Sequence, residues 1–285
     1  MILQKLLITL DMVKFEHTIF ALPFAFIGAL LARKGLPTGW QLTWIVAAMV
    51  GARSAAMAFN RIVDCRYDKL NPRTSGRALP LGTLSVQFAV AFTIAMSFLF
   101  VFAARQLNPL CFYLSFPTLV ILFLYSYTKR FTALSHLVLG FAIGCAPLAA
   151  WLAVRGEFAW PPVLLSGAVM FWVAGFDLIY ALQDIDFDRR EKLFSLPSKF
   201  GVAPALRVST LFHGATVILL AATAMVANLG WIAYAGISIV AGILYWEHRL
   251  VTPNDLSRVN VAFFNLNGYV SILLFLTFAG DILIR

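Results

Sequence analysis

The sequence has few charged residues, and this shortage excludes an ordinary soluble protein. Of the 285 residues only 12% are Asp, Glu, Lys or Arg, whereas 61% are hydrophobic. Soluble domains carry about 25% charged and about 45–50% apolar residues. A water-soluble fold of this length could not bury so much apolar surface, so we expect the chain to lie in a lipid bilayer.

Acidic residues are scarcer than basic ones, which leaves a formal net charge of +9. A positive excess can indicate nucleic-acid binding, but here the basic residues lie in short loops between apolar runs. That distribution is typical of membrane proteins, because anionic lipid headgroups supply the opposite charge. We therefore expect membrane lipid, and no nucleic acid, as the partner of these loops.

Cysteine is also rare. Cys65, Cys111 and Cys145 are far apart and match no metal-binding spacing, so they are interpreted as reduced structural residues. The first residues, 1–11, lack a small-residue cleavage site and are followed at once by another apolar run. We therefore expect no removable signal peptide.

Long apolar runs are what the sequence has in abundance. A helix that crosses a bilayer needs about 20 mostly apolar residues. The runs are continuously apolar rather than alternating, which excludes the strands of a membrane barrel. We predict an all-α, polytopic membrane protein whose nine transmembrane helices are residues 15–33, 40–63, 86–104, 108–128, 135–154, 161–183, 207–227, 230–247 and 260–282.

The loops between these spans predict the orientation in the membrane. Sixteen of the 22 Lys and Arg residues lie at the N-terminus or in the loops after the second, fourth, sixth and eighth spans. Because basic loops stay in the cytoplasm, we expect a cytoplasmic N-terminus and a C-terminus on the opposite side. The predicted location is the cell (inner) membrane, with residues 1–285 forming a single membrane domain.

Two hydrophilic stretches, one after the second span and one after the sixth, carry polar residues at intervals of four. These residues are Asn60, Asp64 and Asp68 in the first stretch and Tyr180, Asp184 and Asp188 in the second. The second set follows the first by 120 positions (180 minus 60). The offset indicates a faint parallel internal repeat in which residues of about 40–104 and 161–227 are equivalent.

Carboxylates at this spacing predict a cation site. On a helix they share one face, about 6 Å apart along the axis, and they repel each other unless a cation lies between them. Hard oxygen ligands suit Mg²⁺, which also binds water and substrate phosphates. A solvated helix end is the plainer interpretation of one motif alone, but two matching motifs favour metal ligation by Asp64, Asp68, Asp184 and Asp188.

Two ionisable residues lie deeper in the spans, seven positions before each motif. Arg53 precedes Asn60, and Asp177 precedes Asp184. An ionisable group at membrane depth costs several kcal/mol unless it faces a cavity and has a partner. One interpretation is a structural ion pair between Arg53 and Asp177. The other is that Arg53 binds a substrate carboxylate, for which its guanidinium group is well shaped.

Basic side chains near the motifs also have two interpretations. Each one singly is typical of membrane topology, but beside a magnesium site they suit the remaining oxygens of a diphosphate. Tyr125 and Tyr180 are candidates for lining a pocket for a carbocation or an isoprenoid tail. The basic residues are Lys129 and Arg130 at the end of the fourth span, with Arg73, Arg77, Lys192 and Lys199 in the long loops.

Together these features resemble the UbiA superfamily of intramembrane prenyltransferases, closest to its 4-hydroxybenzoate polyprenyltransferase-like members. The resemblance covers nearly the whole chain and rests on both polar motifs and on three further segments. One departure is Ser126, where the family usually has proline. The further segments are Arg77-Ala-Leu-Pro-Leu-Gly82, Tyr125-Ser-Tyr-Thr-Lys129-Arg130 and Leu139-Gly-x3-Gly144-x2-Pro147.

The resemblance implies nine helices around a central cavity with a cytoplasmic cap. It implies Mg²⁺-dependent transfer of a polyprenyl group from a polyprenyl diphosphate to an aromatic acid of the 4-hydroxybenzoate type, in ubiquinone or menaquinone biosynthesis. Lys129 and Arg130 would stabilise the leaving diphosphate, while Asp177 would orient the acceptor or handle a proton. The implied catalytic residues are Asp177, Lys129, Arg130 and Tyr125, and the implied substrate-binding residues are Arg53, Asn60, Tyr180, Arg73, Arg77, Lys192 and Lys199.

Other functions remain as alternatives. Within the same chemistry, the acceptor would be a dihydroxynaphthoate of a menaquinone pathway. CDP-alcohol phosphotransferases also place aspartates on membrane helices, but their single motif begins Asp-Gly, which this chain lacks. An ion-coupled transporter would use intramembrane Asp and Arg residues, yet the charges here cluster at one face and not along a path. The sequence indicates no obligate protein partner.

Overall fold

The computed structural model describes residues 2–14 and 18–285, and no β-strand occurs in these residues. The predicted all-α class is confirmed. A 3₁₀ turn, Leu182–Asp184, follows α7, and a π-helical turn, Val261–Leu266, precedes α12. The helices are α1 (Ile2–Met12), α2 (Thr18–Arg33), α3 (Gly39–Leu70), α4 (Val86–Leu107), α5 (Pro109–Thr128), α6 (Ser135–Arg155), α7 (Trp160–Ala181), α8 (Ile185–Arg190), α9 (Leu196–Phe200), α10 (Val202–Val226), α11 (Trp231–Leu250) and α12 (Asn267–Ile284).

The predicted count of nine spans is not confirmed. Within the part of the chain that the structure describes, seven helical segments are long and apolar enough to cross a membrane. They are Gly39–Leu70, Val86–Leu107, Pro109–Thr128, Ser135–Arg155, Trp160–Arg190, Val202–Val226 and Val261–Ile284.

Two predicted spans account for the difference. The first, 15–33, begins with residues 15–17, which lie outside the described ranges, and the apolar helix Ala21–Arg33 is too short to be counted. The eighth corresponds to α11, whose last turn contains Glu247 and His248. These polar side chains lower the mean hydropathy of α11.

The chain forms two compact units. The first consists of α1 together with Leu42–Tyr127. Its core lies where the end of α1, the middle of α3 and the loop that follows α3 meet, and this packing fixes the loop beside the end of α3. The buried residues of this core are Met12, Val13, Ala58, Ala78, Leu79, Leu84 and Ala89.

The second unit consists of Ile19–Gln41 and Thr128–Arg285. Here α6 and α7 pack closely because α6 carries glycines four residues apart. A Cβ atom added to Gly140 would meet the Met170 carbonyl oxygen, and one added to Gly144 would meet that of Ser166. Small residues at this spacing let the backbones of membrane helices approach each other. The single domain and the internal repeat stay predictions.

A buried polar network joins α7, α11 and α12 within the second unit. The Trp172 indole nitrogen donates to Asn267 Oδ1 at 2.8 Å, and Asn267 Nδ2 donates to Glu247 Oε1 at 3.1 Å. Glu247 and Asn267 are both fully buried. Because an unpaired buried polar group is destabilising, this chain of partners favours one arrangement of the three helices. The three cysteines are unpaired, as predicted.

Candidate active site

The first motif lies on the last turns of α3, which continues unbroken to Leu70. Asn60 Nδ2 donates a hydrogen bond to Asp64 Oδ2 at 2.9 Å, across one turn of the helix. Asp68, one turn further on, forms an ion pair with Arg77, whose Nη1 lies 2.7 Å from Asp68 Oδ1. The helical face predicted from the spacing of four is therefore present in this motif.

Only one of the two carboxylate oxygens of Asp68 contacts Arg77. Its side chain is only 8% exposed, and its Oδ2 is buried and accepts no hydrogen bond from any described residue. Nearly all buried polar atoms in folded proteins have a partner. A buried oxygen without a donor is a suitable ligand for a cation.

The loop after α3 decides which basic side chain reaches this aspartate. Thr74 Oγ1 donates to the Asp68 carbonyl oxygen at 3.2 Å, and the Arg73 backbone N–H donates to Asn71 Oδ1 at 2.9 Å. The tight turn that results brings Arg77 to Asp68 and leaves the Arg73 side chain exposed.

Arg53 lies two turns before Asn60 and is half-buried. Its Nη2 donates to the Lys14 carbonyl oxygen at 3.3 Å, whereas its Nε is buried and has no hydrogen-bond partner among residues 2–14 and 18–285. Lys14 itself has a left-handed backbone, with φ of 47°. The Nη2 atom of the Arg53 guanidinium is thus bound to the main chain, and its Nε is placed to donate to an anionic ligand.

Arg61 is a functional candidate that the sequence reasoning missed, because it was counted only as a topology signal. Its side chain is buried, and its Nε donates to the Met12 carbonyl oxygen at 3.2 Å. It lies within electrostatic range of Asp64, Asp68 and Tyr125. The sequence did offer a signal for Arg61, because this residue lies inside the predicted second span, directly after Asn60.

The second motif differs from the first because its helix is interrupted. α7 ends at Ala181, and the 3₁₀ turn Leu182–Asp184 separates it from α8. The prediction of one continuous helical face does not hold for this motif, since a 3₁₀ turn has three residues per turn and shifts the register between Tyr180 and Asp188. Asp184 and Asp188 nevertheless remain buried, at 7% and 2% exposure.

Asp188 faces Lys129. The Lys129 ammonium nitrogen lies 4.0 Å from Asp188 Oδ2, and this oxygen is buried and accepts no hydrogen bond within the described ranges. Two main-chain hydrogen bonds fix the surroundings: Phe194 N–H donates to the Lys129 carbonyl oxygen at 2.6 Å, and Leu193 N–H donates to that of Asp188 at 2.8 Å. The segment after α8 is thereby joined to the turn that holds Lys129 and Arg130.

The remaining basic candidates of this loop are at the surface. Lys192 and Lys199 are both exposed. The Lys199 ammonium lies over the Phe200 ring, 5.3 Å from its centroid. The structure therefore brings Lys129 to the carboxylates of the second motif and leaves these two lysines facing outward.

The two tyrosines predicted to line a pocket are half-buried. Tyr180 stacks on Phe263, with ring centroids 4.1 Å apart, and Phe263 belongs to the π-helical turn before α12. Tyr125 lies in the last turn of α5, four residues before Lys129. Both rings are suited to contact with an apolar or cationic ligand.

Asp177 is paired with His136, which the sequence reasoning also missed. His136 Nδ1 lies 2.7 Å from Asp177 Oδ2. His136 is at the first turn of α6, and the close packing of α6 on α7 brings it to Asp177. The sequence did offer a signal for His136. It is one of four histidines in the chain, and it lies at the start of an apolar span, four residues before Gly140.

The carboxylates of each motif, taken separately, fit a divalent cation that is shared with a substrate. Among the residues described, no three His, Cys, Asp or Glu side chains cluster closely enough to hold a metal ion by themselves. Asp68 and Asp188 each offer a buried oxygen without a hydrogen-bond donor. Mg²⁺ binds through one or two carboxylates, waters and substrate phosphates, so this donor set fits Mg²⁺ that arrives with a diphosphate.

Comparison with known sequences identifies close relatives. The UbiA prenyltransferase family pattern matches residues 21–269. The chain is 31% identical over 258 residues to a 4-hydroxybenzoate octaprenyltransferase of Nitrosospira multiformis, which is 90% of this chain and 88% of the relative. A 4-hydroxybenzoate octaprenyltransferase of Klebsiella pneumoniae is 30% identical over 249 residues, with 87% and 86% of the two chains covered.

Solved structures show the same fold. The apo structure of a UbiA homologue from Aeropyrum pernix K1 has a TM-score of 0.85 at 37% identity, covering 94% of this chain and 98% of the other. A UbiA homologue from Archaeoglobus fulgidus, bound to GPP and Mg²⁺, has a TM-score of 0.66 at 20% identity, covering 94% and 99%. The resemblance inferred from the motifs is confirmed. The chain is a multi-pass membrane prenyltransferase and belongs to the UbiA prenyltransferase family.

Proposed function

We propose that this prenyltransferase transfers a polyprenyl group from a polyprenyl diphosphate to the ring of a 4-hydroxybenzoate-like acid, with Mg²⁺ as cofactor, in quinone biosynthesis. The observation that carries the proposal is a feature common to both motifs. Each has a buried aspartate with an oxygen that lacks a hydrogen-bond donor, next to a basic side chain. These pairs are Asp68 with Arg77 and Asp188 with Lys129.

Such pairs suit a ligand that carries both negative phosphate oxygens and a cation. Mg²⁺ ions, held by Asp64 and Asp68 in the first motif and by Asp184 and Asp188 in the second, would supply positive charge to the departing diphosphate. Arg77, Lys129 and Arg130 bind the remaining phosphate oxygens through charge-assisted hydrogen bonds. The exposed Arg73, Lys192 and Lys199 attract the anionic headgroup as it approaches from the aqueous side.

The acceptor is bound by the groups that lie deeper in the spans. Arg53 holds the carboxylate of the acid, because its half-buried guanidinium suits an anion and its Nε makes no hydrogen bond within residues 2–14 and 18–285. Asn60 contacts the substrate beside Asp64, and Asp177 orients the acceptor ring.

Tyr125 and Tyr180 line the path of the allylic cation, since aromatic faces attract positive charge. A site closed to water protects that cation from hydrolysis.

The names of the curated relatives support 4-hydroxybenzoate as the acceptor. The basic loops support a cytoplasmic N-terminus and a diphosphate site at the cytoplasmic face of the inner membrane.

The test is an assay of the purified protein in liposomes with Mg²⁺, geranyl diphosphate and either 4-hydroxybenzoate or a dihydroxynaphthoate. We expect a ring-prenylated 4-hydroxybenzoate by mass spectrometry, and no product once a chelator is added. Product from the naphthoate alone would change the assigned acceptor. Absence of product from both acids, together with ion flux across the liposome membrane, would favour a transporter instead.

A further inference from the structure

His136 and Asp177 form a hydrogen-bonded pair on neighbouring helices. The His136 side chain is 2% exposed and that of Asp177 is 18% exposed, with 2.7 Å between Nδ1 and Oδ2. A carboxylate can only accept a hydrogen bond, so the Nδ1 atom of His136 carries the proton of this contact. In the neutral imidazole, Nε2 then has a lone pair and is the basic nitrogen.

In the part of the chain that the structure describes, that basic nitrogen has no hydrogen-bond partner. His136 Nε2 is buried and makes no hydrogen bond within the described residues. The hydroxyl of Ser135, the preceding residue, is also buried and without a partner. Since nearly all buried polar atoms are hydrogen-bonded, two such atoms in succession at the start of α6 indicate that a ligand satisfies them.

The pair also interacts electrostatically with the second motif. His136 is within electrostatic range of Asp188, and Asp188 faces Lys129 at 4.0 Å. An acceptor whose hydroxyl meets His136 is therefore near the residues proposed to bind the leaving group. A carboxylate that orients an imidazole, with the second nitrogen directed at a hydroxyl group, is the arrangement that makes imidazole a general base.

We propose that His136 is the general base of the reaction, that it takes the hydroxyl proton of the aromatic acceptor, and that Asp177 orients it. The assignment deepens the proposed function and rests on it. The ligand that satisfies Nε2 is a ring hydroxyl group, so the enzyme selects phenolic acids over acids that lack this group.

The proton and electron balance is as follows. The Nε2 lone pair takes the proton of the ring hydroxyl, and the O–H bonding pair stays on oxygen and enters the ring. The allylic C–O bond breaks and the diphosphate leaves with its electron pair, and the ring carbon next to the C–O carbon then forms the new bond to the allylic cation. The ring carbon then loses its proton to the diphosphate, and the imidazolium returns its proton to the oxygen.

The first experiment compares His136→Ala and His136→Asn with the wild type. Asn keeps an amide N–H near the position of Nδ1, so it can still donate to Asp177, but it lacks the basic Nε2. General-base catalysis contributes about 10²–10⁴-fold, so we expect kcat for 4-hydroxybenzoate to fall about 100-fold or more in both variants. Binding of geranyl diphosphate with Mg²⁺, measured by calorimetry, should stay within about twofold of the wild type.

The second experiment varies the acceptor. A ring fluorine makes the hydroxyl group of 4-hydroxybenzoate more acidic, so less help from a base is needed. The ratio of wild-type to variant kcat should therefore shrink about tenfold or more when 3-fluoro-4-hydroxybenzoate replaces the parent acid. A purely structural role of His136 would leave this ratio unchanged.

The outcomes separate this inference from the proposed function. Wild-type kcat in His136→Asn, or equal ratios for both acceptors, would overturn the general base while prenyl transfer by the wild type stands. A wild-type protein that prenylates neither acid would overturn both. If His136→Ala does not fold, His136→Asn tested on the two acceptors decides the matter.

Discussion

At the scale of single residues, the outer aspartates of the two motifs are held differently. Asp68 accepts a hydrogen bond of 2.7 Å from Arg77, whereas Lys129 approaches Asp188 only to 4.0 Å. A guanidinium is a directional donor, while an ammonium acts more as a point charge. Asp188 also has a side-chain hydrogen bond with Ser195, so it is the longer contact with its basic partner that leaves Oδ2 available to a cation.

Replacement of Asp188 by Asn tests that availability. The amide keeps the shape of the side chain but removes its charge, so we expect kcat/KM to fall about 10²-fold or more, the order seen when one group that stabilises transition-state charge is lost. Asp186→Asn is the matched control, because Asp186 is exposed on the same short helix. Turnover at increasing Mg²⁺ concentration is the measurement, and similar losses in both variants would argue against ligation by Asp188.

Arg53→Ala should affect the two substrates unequally. Because Arg53 is proposed to hold the acceptor carboxylate, we expect the KM for 4-hydroxybenzoate to rise about tenfold or more, as when a charge-assisted hydrogen bond of about 1.5–3 kcal/mol is lost. The KM for geranyl diphosphate should change little. Arg66→Ala, an exposed arginine on the same helix, is the control. An equal rise in both KM values would contradict the assigned role.

Residue type and spacing predict those parts of the site that lie on one continuous segment. Asn60, Asp64 and Asp68 follow from helical periodicity alone. His136 could not be predicted in the same way, because it lies 41 positions from Asp177 and meets it only through the packing of α6 on α7. Arg61 was missed because a basic residue near a membrane surface is usually a topology signal.

At the scale of helices, the close approach of α6 and α7 positions the His136–Asp177 pair. The approach depends on Gly140 and Gly144, whose Cβ positions are occupied by backbone atoms of α7. The glycines are thus as necessary to the pair as its hydrogen bond.

Gly140→Val should separate these helices. Added side-chain volume in a tight contact costs about 1–3 kcal/mol, so we expect a lower Tm in detergent together with loss of turnover. Gly214→Val on α10 is the matched control, because a Cβ atom at Gly214 meets nothing within 4 Å. A Tm drop of equal size in both variants would indicate a general β-branched penalty and no special contact at Gly140.

Apolar run length predicted the helices well and their ends less well. α3 extends to Leu70, seven residues beyond the predicted end of the span, because polar residues continue the helix outside the apolar run. The interruption of α7 was not foreseen, since neither Gly nor Pro marks Leu182–Asp184. Its Asp184 is one of the expected ligands, and functional sites commonly carry such irregular turns.

At the scale of the whole molecule, burial differs greatly among the helices that are long enough to cross a membrane. Only 11% of the apolar 18-residue stretch of α5 is buried, whereas 56% of the corresponding stretch of Trp160–Arg190 is buried. Large apolar side chains such as Phe98 and Val120 are more than half exposed. In water such surfaces would be destabilising, so lipid is the solvent that these faces require.

Cysteine labelling tests the proposed orientation. In a chain whose native Cys65, Cys111 and Cys145 are replaced by Ser, single cysteines are introduced by Lys69→Cys or Glu157→Cys, both at exposed positions. With a cytoplasmic N-terminus, a membrane-impermeant maleimide added to intact spheroplasts should label position 157 and should reach position 69 only after permeabilisation. The reverse pattern would invert the topology, and prenyl transfer by each variant checks that it is folded.

The segment after α8 is fixed by main-chain atoms, through the N–H groups of Leu193 and Phe194. Such bonds are indifferent to the side chain present, provided that it is not proline. Positions 193 and 194 are therefore free to drift in evolution without moving Lys129 or Asp188. Related sequences can carry any residue other than proline at these two positions and keep the same local geometry. Sequence divergence in this segment is therefore no measure of functional divergence.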